Sequence, residues 1–276
     1  MSHPDSERIA AARTLLFVPG DRPDRFAKAG TAGADLVIID LEDAVAPADK
    51  EAARTQASTW LARGNRAVVR VNPPGTPWHE ADLATAAEHG CPVMVPKAEQ
   101  QETLTKITAR TSGRCPLIPL VETALGIEHS PELCAAPGTV RAAFGNVDLA
   151  AQLGVAPDDH TALAYARSRL VLASVAMGAH PPIDGVTTAV RNPDALREDA
   201  AHARRLGFTG KLCVHPDQVA PAAAAFTPAA DELRWARRVL EAGESVTTLD
   251  GQMIDRPVLE RARSVLARAT EPRTAR

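Results

Sequence analysis

The sequence is poor in aromatic residues: one Tyr, three Trp and five Phe make up 3% of 276 residues. Few side chains are therefore available to stack on bases. There is no cationic excess either, since 31 Lys and Arg stand against 34 Asp and Glu, a formal net charge of -3. Both shortages speak against a nucleic-acid partner. Cysteine is scarce as well. Cys91, Cys115, Cys134 and Cys213 form no Cys-x-x-Cys pair and have no His at zinc-ligand spacing, so they read as small apolar filler in a reducing compartment. The longest apolar stretch, Leu170 to Ala179, is broken by Ser174 and Gly178 and reaches only about half the length of a bilayer span. The polar start, Met1-Ser-His-Pro-Asp-Ser-Glu-Arg8, carries no secretory signal, so a cytoplasmic protein with no membrane partner is expected. Neither Gly-x-Gly-x-x-Gly, nor a Walker loop, nor a Gly-x-Ser-x-Gly elbow occurs. Rossmann, P-loop and serine-hydrolase chemistry lose their support accordingly.

What the chain does contain is a series of short aliphatic, β-branched runs bounded by Gly, Pro or charge. They are Thr14–Val18, Leu36–Ile39, Ala67–Val71, Val93–Val95, Leu117–Val121, Ala142–Phe144, Pro182–Asp184 and Lys211–Val214. Continuous apolar runs suit parallel strands buried on both faces. Segments of helical character lie between most of them, among them Asp24–Ala32, Pro47–Ala62, Glu80–His89, Ala98–Ala109 and Thr161–Met177. Eight alternations predict an α/β chain folded as a (β/α)8 TIM barrel, with a doubly wound sheet as the competing fold. Beyond Phe226 the pattern changes to a helix, Ala230–Ala242, a loop, Gly243–Gly251, and a last helix, Pro257–Ala269. Residues 1–226 are thus expected to form the catalytic barrel and 227–276 a helical appendage whose last residues, Thr270–Arg276, fray.

Each predicted strand exits into polar residues: Asp21 and Arg22, Asp40-Leu41-Glu42-Asp43, Asn72, Lys97, Glu122, Asp148, Asp184 and His215. In a barrel these exits share one rim, where the active site sits. Glu122 and Asp148 are the metal candidates, because two carboxylates without Cys or His favour Mg²⁺; pairing with an Arg is the structural alternative. Arg70, between apolar neighbours, can grip a carboxylate with two parallel hydrogen bonds or form a salt bridge across the barrel to Glu42 or Asp43. Arg22, Arg25 and Lys28 surround a helix start and suit a phosphate, or simply a solvated basic face. His215 is the one histidine at a strand exit and is expected to line the site.

Taken in order, Leu16-Phe-Val-Pro-Gly-Asp-Arg-Pro23, Asp40-Leu-Glu-Asp43, Val69-Arg-Val-Asn72, Val95-Pro-Lys-Ala98, Val121-Glu-Thr-Ala124, Gly145-Asn-Val-Asp-Leu149, Cys213-Val-His-Pro216 and Gly251-Gln-Met-Ile-Asp255 resemble the citrate lyase β-subunit and malyl-CoA lyase family. These are Mg²⁺-dependent carbon–carbon lyases of the HpcH/HpaI aldolase superfamily, built on a TIM barrel. The resemblance runs from about Arg13 to the Pro257 helix. It implies that Glu122 and Asp148 bind Mg²⁺, that Arg70 holds the carboxylate of a 2-oxo acid, and that Arg22, Arg25 and Lys28 meet the nucleotide part of coenzyme A. Asp40, Glu42 and Asp43 would surround the metal waters. In family members that act on free CoA thioesters, the aspartate matching Asp255 reaches a neighbouring subunit's site. Asp255 is therefore expected to act as the acid–base on a mobile tail, in a homo-oligomer (a trimer, or two stacked).

Many citrate lyase β-subunits carry an acidic residue just before the metal aspartate, where this chain has Val147. That departure and the Asp255 motif favour a free-standing lyase that cleaves a malyl-CoA or citramalyl-CoA type thioester to a 2-oxo acid and acetyl-CoA. A citryl-carrier-protein lyase subunit, a malyl-CoA thioesterase or malate-synthase-like enzyme, and a non-catalytic binding barrel are the alternatives.

Overall fold

A computed structural model describes residues 4–242, 247–249 and 252–269. Helix α1 (Pro4–Ala11) precedes β1 (Thr14–Pro19), and a 3₁₀ turn leads into α2 (Phe26–Gly30). There follow β2 (Leu36–Asp40), α3 (Lys50–Ala62), β3 (Val68–Arg70), α4 (His79–His89), β4 (Val93–Val95), α5 (Gln101–Arg110) and β5 (Leu117–Val121). Helices α6 (Ala124–Glu128) and α7 (Ser130–Ala135) lead to β6 (Ala143–Phe144), then α8 (Asn146–Leu153) and α9 (Ala164–Ala176). The barrel finishes with β7 (Ile183–Asp184), α10 (Pro193–Leu206), β8 (Gly210–Cys213) and α11 (Val219–Phe226). Strands β1 to β8 form a closed parallel barrel in sequence order, sealed where Leu15 of β1 pairs with Leu212 of β8. The fold is the expected (β/α)8 barrel.

The strands divide their side chains by parity. Leu15, Ile38, Val68, Met94, Ile118, Leu120 and Leu212 fill the barrel interior as one cluster. Their neighbours Leu16, Ile39, Val69, Val93, Val95, Leu117 and Val121 face outward, against Ala53, Ala57, Leu83, Leu104 and Ile107 of the helices. Because successive strand residues point to opposite faces, both faces are apolar. That is why the strands read as continuous runs. All four cysteines are buried and free. Among the described residues no helix is long and apolar enough to cross a membrane.

Helix α1 covers the amino-terminal end of the barrel. The fully buried Arg141 holds it there, donating to the carbonyls of Ile9, Ala12 and Pro182 and to Thr209 Oγ1. The appendage is helix α12 (Ala230–Glu241), a two-stranded antiparallel ribbon of β9 (Thr247–Leu249) and β10 (Gln252–Ile254), and helix α13 (Arg256–Ala267). The expected loop Gly243–Gly251 thus contains a strand, paired in register Gln252 to Leu249. Ala236, Val239, Ile254, Leu259, Ala262 and Val265 give this part a small core of its own. Its end is tied to the amino-terminal side of the barrel, where Arg13 donates to the Arg268 carbonyl at 2.6 Å and to Thr227 Oγ1 at 2.9 Å. Gly251 and Thr270–Arg276 lie outside the described residues.

Candidate active site at the carboxyl rim of the barrel

The inward parity of the strands continues one step beyond the apolar interior. Ile38 is followed two residues on by Asp40, Val68 by Arg70, and Leu120 by Glu122. Three ionisable side chains from three strands are thereby aimed at the barrel mouth, and all three are buried. Arg70 Nε and Nη2 donate to the two oxygens of Asp40 at 2.7 and 2.6 Å. Nη1 lies 2.9 Å from Glu42 Oε2, an ion pair without good hydrogen-bond alignment. Phe17 stacks 4.8 Å from the guanidinium carbon and fixes its plane. The cross-barrel salt bridge is therefore formed, to Asp40 and Glu42 rather than Asp43. Two of the five N–H groups donate to Asp40; among the described residues the other three, one on Nη2 and two on Nη1, make no hydrogen bond.

Asp40 has no spare oxygen for an outer sphere of metal waters, since it also accepts from the backbone N–H of Glu42 at 2.9 Å and of Ala44 at 3.1 Å. Lys50, buried over Trp78, clamps the same loop by donating to the carbonyls of Leu41 and Glu42. Asn72 turns outward from the mouth and donates to Asp82 through both its backbone and its side-chain nitrogen.

Glu122 stands at the end of β5. Its Oε1 accepts from the backbone N–H of Lys97 at 2.8 Å. Burial, and then the neighbouring charges of Glu42 and Asp148, push its carboxyl up to about 8. A Cβ on Gly145 would lie 2.3 Å from Glu122 Cβ and 2.6 Å from Oε2, so the space over the carboxylate exists because residue 145 has no side chain. Asp148 does not close a strand, as expected, but sits in the first turn of α8, where its side chain is 38% exposed. The two carboxylates share a cavity of about 410 Å³ with Arg70 and Asp43, walled by Phe17, Leu120, Phe144 and Leu212.

This donor set is oxygen only and fits a hard divalent ion that retains water. Among the described residues, no three His, Cys, Asp or Glu side chains gather closely enough to hold a metal. Two carboxylates would therefore leave the remaining positions to water or substrate. Lys97, to which composition and spacing gave no role, proves central: its ammonium lies 2.6 Å from Glu42 Oε1 and 3.7 Å from Asp148 Oδ1.

The basic cluster is built differently from expectation. Pro23–Arg25 is a 3₁₀ turn and α2 has only five residues, so little helix dipole is available to a phosphate. Arg22 folds onto Asp24, with two contacts at 3.1 Å. Arg25 and Lys28 line a second cavity of about 440 Å³ with His215 and Pro216. It abuts the first along Phe17, Pro19 and Val214, which line both. His215 accepts from the Asp217 N–H at 3.2 Å and caps the following turn.

Asp184 is fully buried between Arg167 at 2.9 Å and Lys211 at 3.0 Å, and so closes the barrel rather than lining the site. Asp255 does not reach the rim cavity of its own chain. It caps α13, accepting from the Val258 N–H at 3.2 Å. The expectation that Asp255 serves a neighbouring subunit's site concerns a second copy of the chain, and its position in a single chain is compatible with it.

Comparison with known proteins adds to this geometry. The HpcH/HpaI aldolase/citrate lyase family profile matches residues 13–216. A citrate lyase subunit beta-like protein of Mycobacterium tuberculosis is 40% identical, covering 95% of this chain and 97% of the relative. A (3S)-malyl-CoA thioesterase of Cereibacter sphaeroides is 34% identical over 93% and 94% of the two chains. The mitochondrial citramalyl-CoA lyase of Rattus norvegicus is 30% identical over 96% and 88%. Among solved structures, CitE of M. tuberculosis in complex with magnesium, acetoacetate and coenzyme A superposes with a TM-score of 0.81 at 37% identity, covering 94% of this chain and 99% of that one.

Proposed function

The chain belongs to the HpcH/HpaI aldolase/citrate lyase family, and from that premise we propose that it is a Mg²⁺-dependent acyl-CoA lyase. Its substrate is a malyl-CoA or citramalyl-CoA type 3-hydroxyacyl thioester, split between the hydroxyl-bearing carbon and the adjacent methylene into a 2-oxo acid and acetyl-CoA. The observation that carries this reading is the meeting of Glu122 and Asp148 with Arg70 at one cavity on the barrel mouth. The Mycobacterium CitE structure, with magnesium and coenzyme A, supports the choice of ligands.

When bound by Glu122 and Asp148, Mg²⁺ supplies a Lewis acid that lowers the pKa of the substrate hydroxyl and polarises the forming carbonyl. N–H groups on the two terminal nitrogens of Arg70 that Asp40 does not take hold the carboxylate of the acid half, and Asp40, Glu42 and Phe17 keep the guanidinium from turning. Phe17, Leu120, Phe144 and Leu212 keep water from the methylene that leaves as a thioester enolate. The adjoining cavity carries the pantetheine towards Arg25 and Lys28, and Arg22 joins them on releasing Asp24. The hydroxyl proton must leave and a proton must return to the enolate carbon. Asp255 performs that transfer from a second copy of the chain, because its own cavity lies out of reach. That requirement calls for a homo-oligomer, which the resemblance makes a trimer or two stacked. Exposed Leu172 and Val175 on α9 offer it apolar surface.

The 34% identical thioesterase favours one second reading, in which water finally cleaves the thioester. Val147 weighs against a citryl-carrier-protein subunit. The test is to incubate the protein with Mg²⁺ and malyl-CoA or (S)-citramalyl-CoA and to follow 2-oxo acid and free thiol separately. Oxo acid without thiol is expected; thiol without oxo acid selects the hydrolase, and neither returns the carrier-protein or binding reading. Glu122→Ala and Asp148→Ala should each abolish turnover, and full activity in EDTA would overturn the metal's part.

A further inference from the structure

Lys97 touches three acidic side chains that reach the rim from three different strand exits. Its backbone N–H is turned to Glu122, while its ammonium is 2.6 Å from Glu42 and 3.7 Å from Asp148. Its backbone sits at φ 48°, one of two non-glycine residues at positive φ among those described. That conformation is costly for an L residue and concentrates at functional sites. Here it lets one residue present its N–H and its side chain to different members of the acidic group.

We propose that Lys97 is the resident counter-cation of the carboxylate site, holding Asp148 and Glu42 while the site is empty of metal and yielding Asp148 to an incoming divalent ion. This rests on the reading that Glu122 and Asp148 take Mg²⁺. An ammonium hydrogen-bonded at 2.6 Å to Glu42 does not leave; it recoils towards Glu42 and remains a near neighbour of the ion. Like charges a few ångströms apart repel appreciably even in a partly wet mouth, so Lys97 sets an upper limit on metal affinity and keeps the ion exchangeable. A merely structural lysine predicts the opposite sign, because losing it would loosen the cluster and weaken binding.

Calorimetric titration of Mg²⁺ without substrate into wild type, Lys97→Met and Lys97→Arg decides the matter. Met keeps the length and the backbone cost of lysine but removes the charge. Lys97→Met should bind Mg²⁺ about tenfold tighter, with a lower melting temperature in EDTA and a larger rise on adding Mg²⁺. Lys97→Arg should stay near wild type. If Lys97→Met does not fold, Lys97→Gln, which keeps a donor to Glu42 without the charge, carries the same expectation. Mg²⁺ binding to a folded neutral variant that is equal to or weaker than wild type overturns the proposal alone. Absence of Mg²⁺ binding to wild type and variant at millimolar concentration overturns the metal reading, and this inference with it.

Discussion

Gly145→Ala isolates the space over Glu122. Gly145 has φ -99° and ψ 87°, so alanine meets no left-handed strain and the whole effect is steric. The new methyl would stand 2.3 Å from Glu122 Cβ and 3.3 Å from its Cα, against a comfortable carbon–carbon separation of about 3.5–4.0 Å. Glu122 Cβ cannot swing aside, because it belongs to the buried end of β5, so the strand end or the β6–α8 turn must shift by about 1 Å. Overpacking of this kind costs about 1–3 kcal/mol. In a chain of this size that lowers the melting temperature by about 2–5 °C. Displacing one of two metal carboxylates should also weaken Mg²⁺ binding by at least about tenfold. Scanning fluorimetry and calorimetric Mg²⁺ titration read the two effects. Gly30→Ala is the control: a Cβ there meets nothing within 4 Å, and the residue ends a helix, so its melting temperature should hold or rise. Wild-type melting and Mg²⁺ affinity in Gly145→Ala would refute the reasoning.

Glu122 gives a pH signature. Its folded carboxyl titrates near 8 against an ordinary 4.5, so the metal-free fold binds more protons than the unfolded chain between those values. Its contribution to stability therefore falls as pH rises through that window. Mg²⁺ affinity should climb up to about pH 8 and then level off; a flat titration would contradict it, and Glu122→Gln should remove the dependence. Asp184→Asn leaves Arg167 and Lys211 buried without their anion and should cost about 3–5 kcal/mol in urea unfolding; a loss below about 1 kcal/mol would show the triad to be solvated. Asp255→Asn keeps a side-chain oxygen to cap α13, so its stability should match wild type while turnover collapses. Equal turnover would end the acid–base role. Mixing Asp255→Asn with Arg70→Ala chains should restore activity if the residue acts between copies, and failure with mixed oligomers confirmed would place it elsewhere.

The order of strands was legible because each is buried on both faces and reads as an aliphatic run; Val93–Val95 and Leu117–Val121 match to the residue. Helices were harder to read. α8 begins directly at Asn146, after a two-residue strand, so Asp148 reads as a strand exit while lying on a helical turn. The five-residue α2 shows no capping hydrogen bond from Arg25, the residue before it, and its length could not be read from the spacing of Arg22, Arg25 and Lys28. A period-two count from Ile38, Val68 and Leu120 would have predicted that Asp40, Arg70 and Glu122 face inward together.

The sequence by itself determined the barrel, its rim and the residue types gathered there, since burial pattern and strand exits are local properties of the chain. It also carried Glu122, Asp148 and Arg70 as the chemistry to look for. Only the tertiary structure decided the pairings: Arg70 committed to Asp40 and Glu42, Lys97 set between Glu42 and Asp148, and Asp184 shut inside the barrel. Which charge meets which depends on closure of the eight-stranded ring, which brings residues tens of positions apart to within 3 Å, and no linear spacing encodes that meeting.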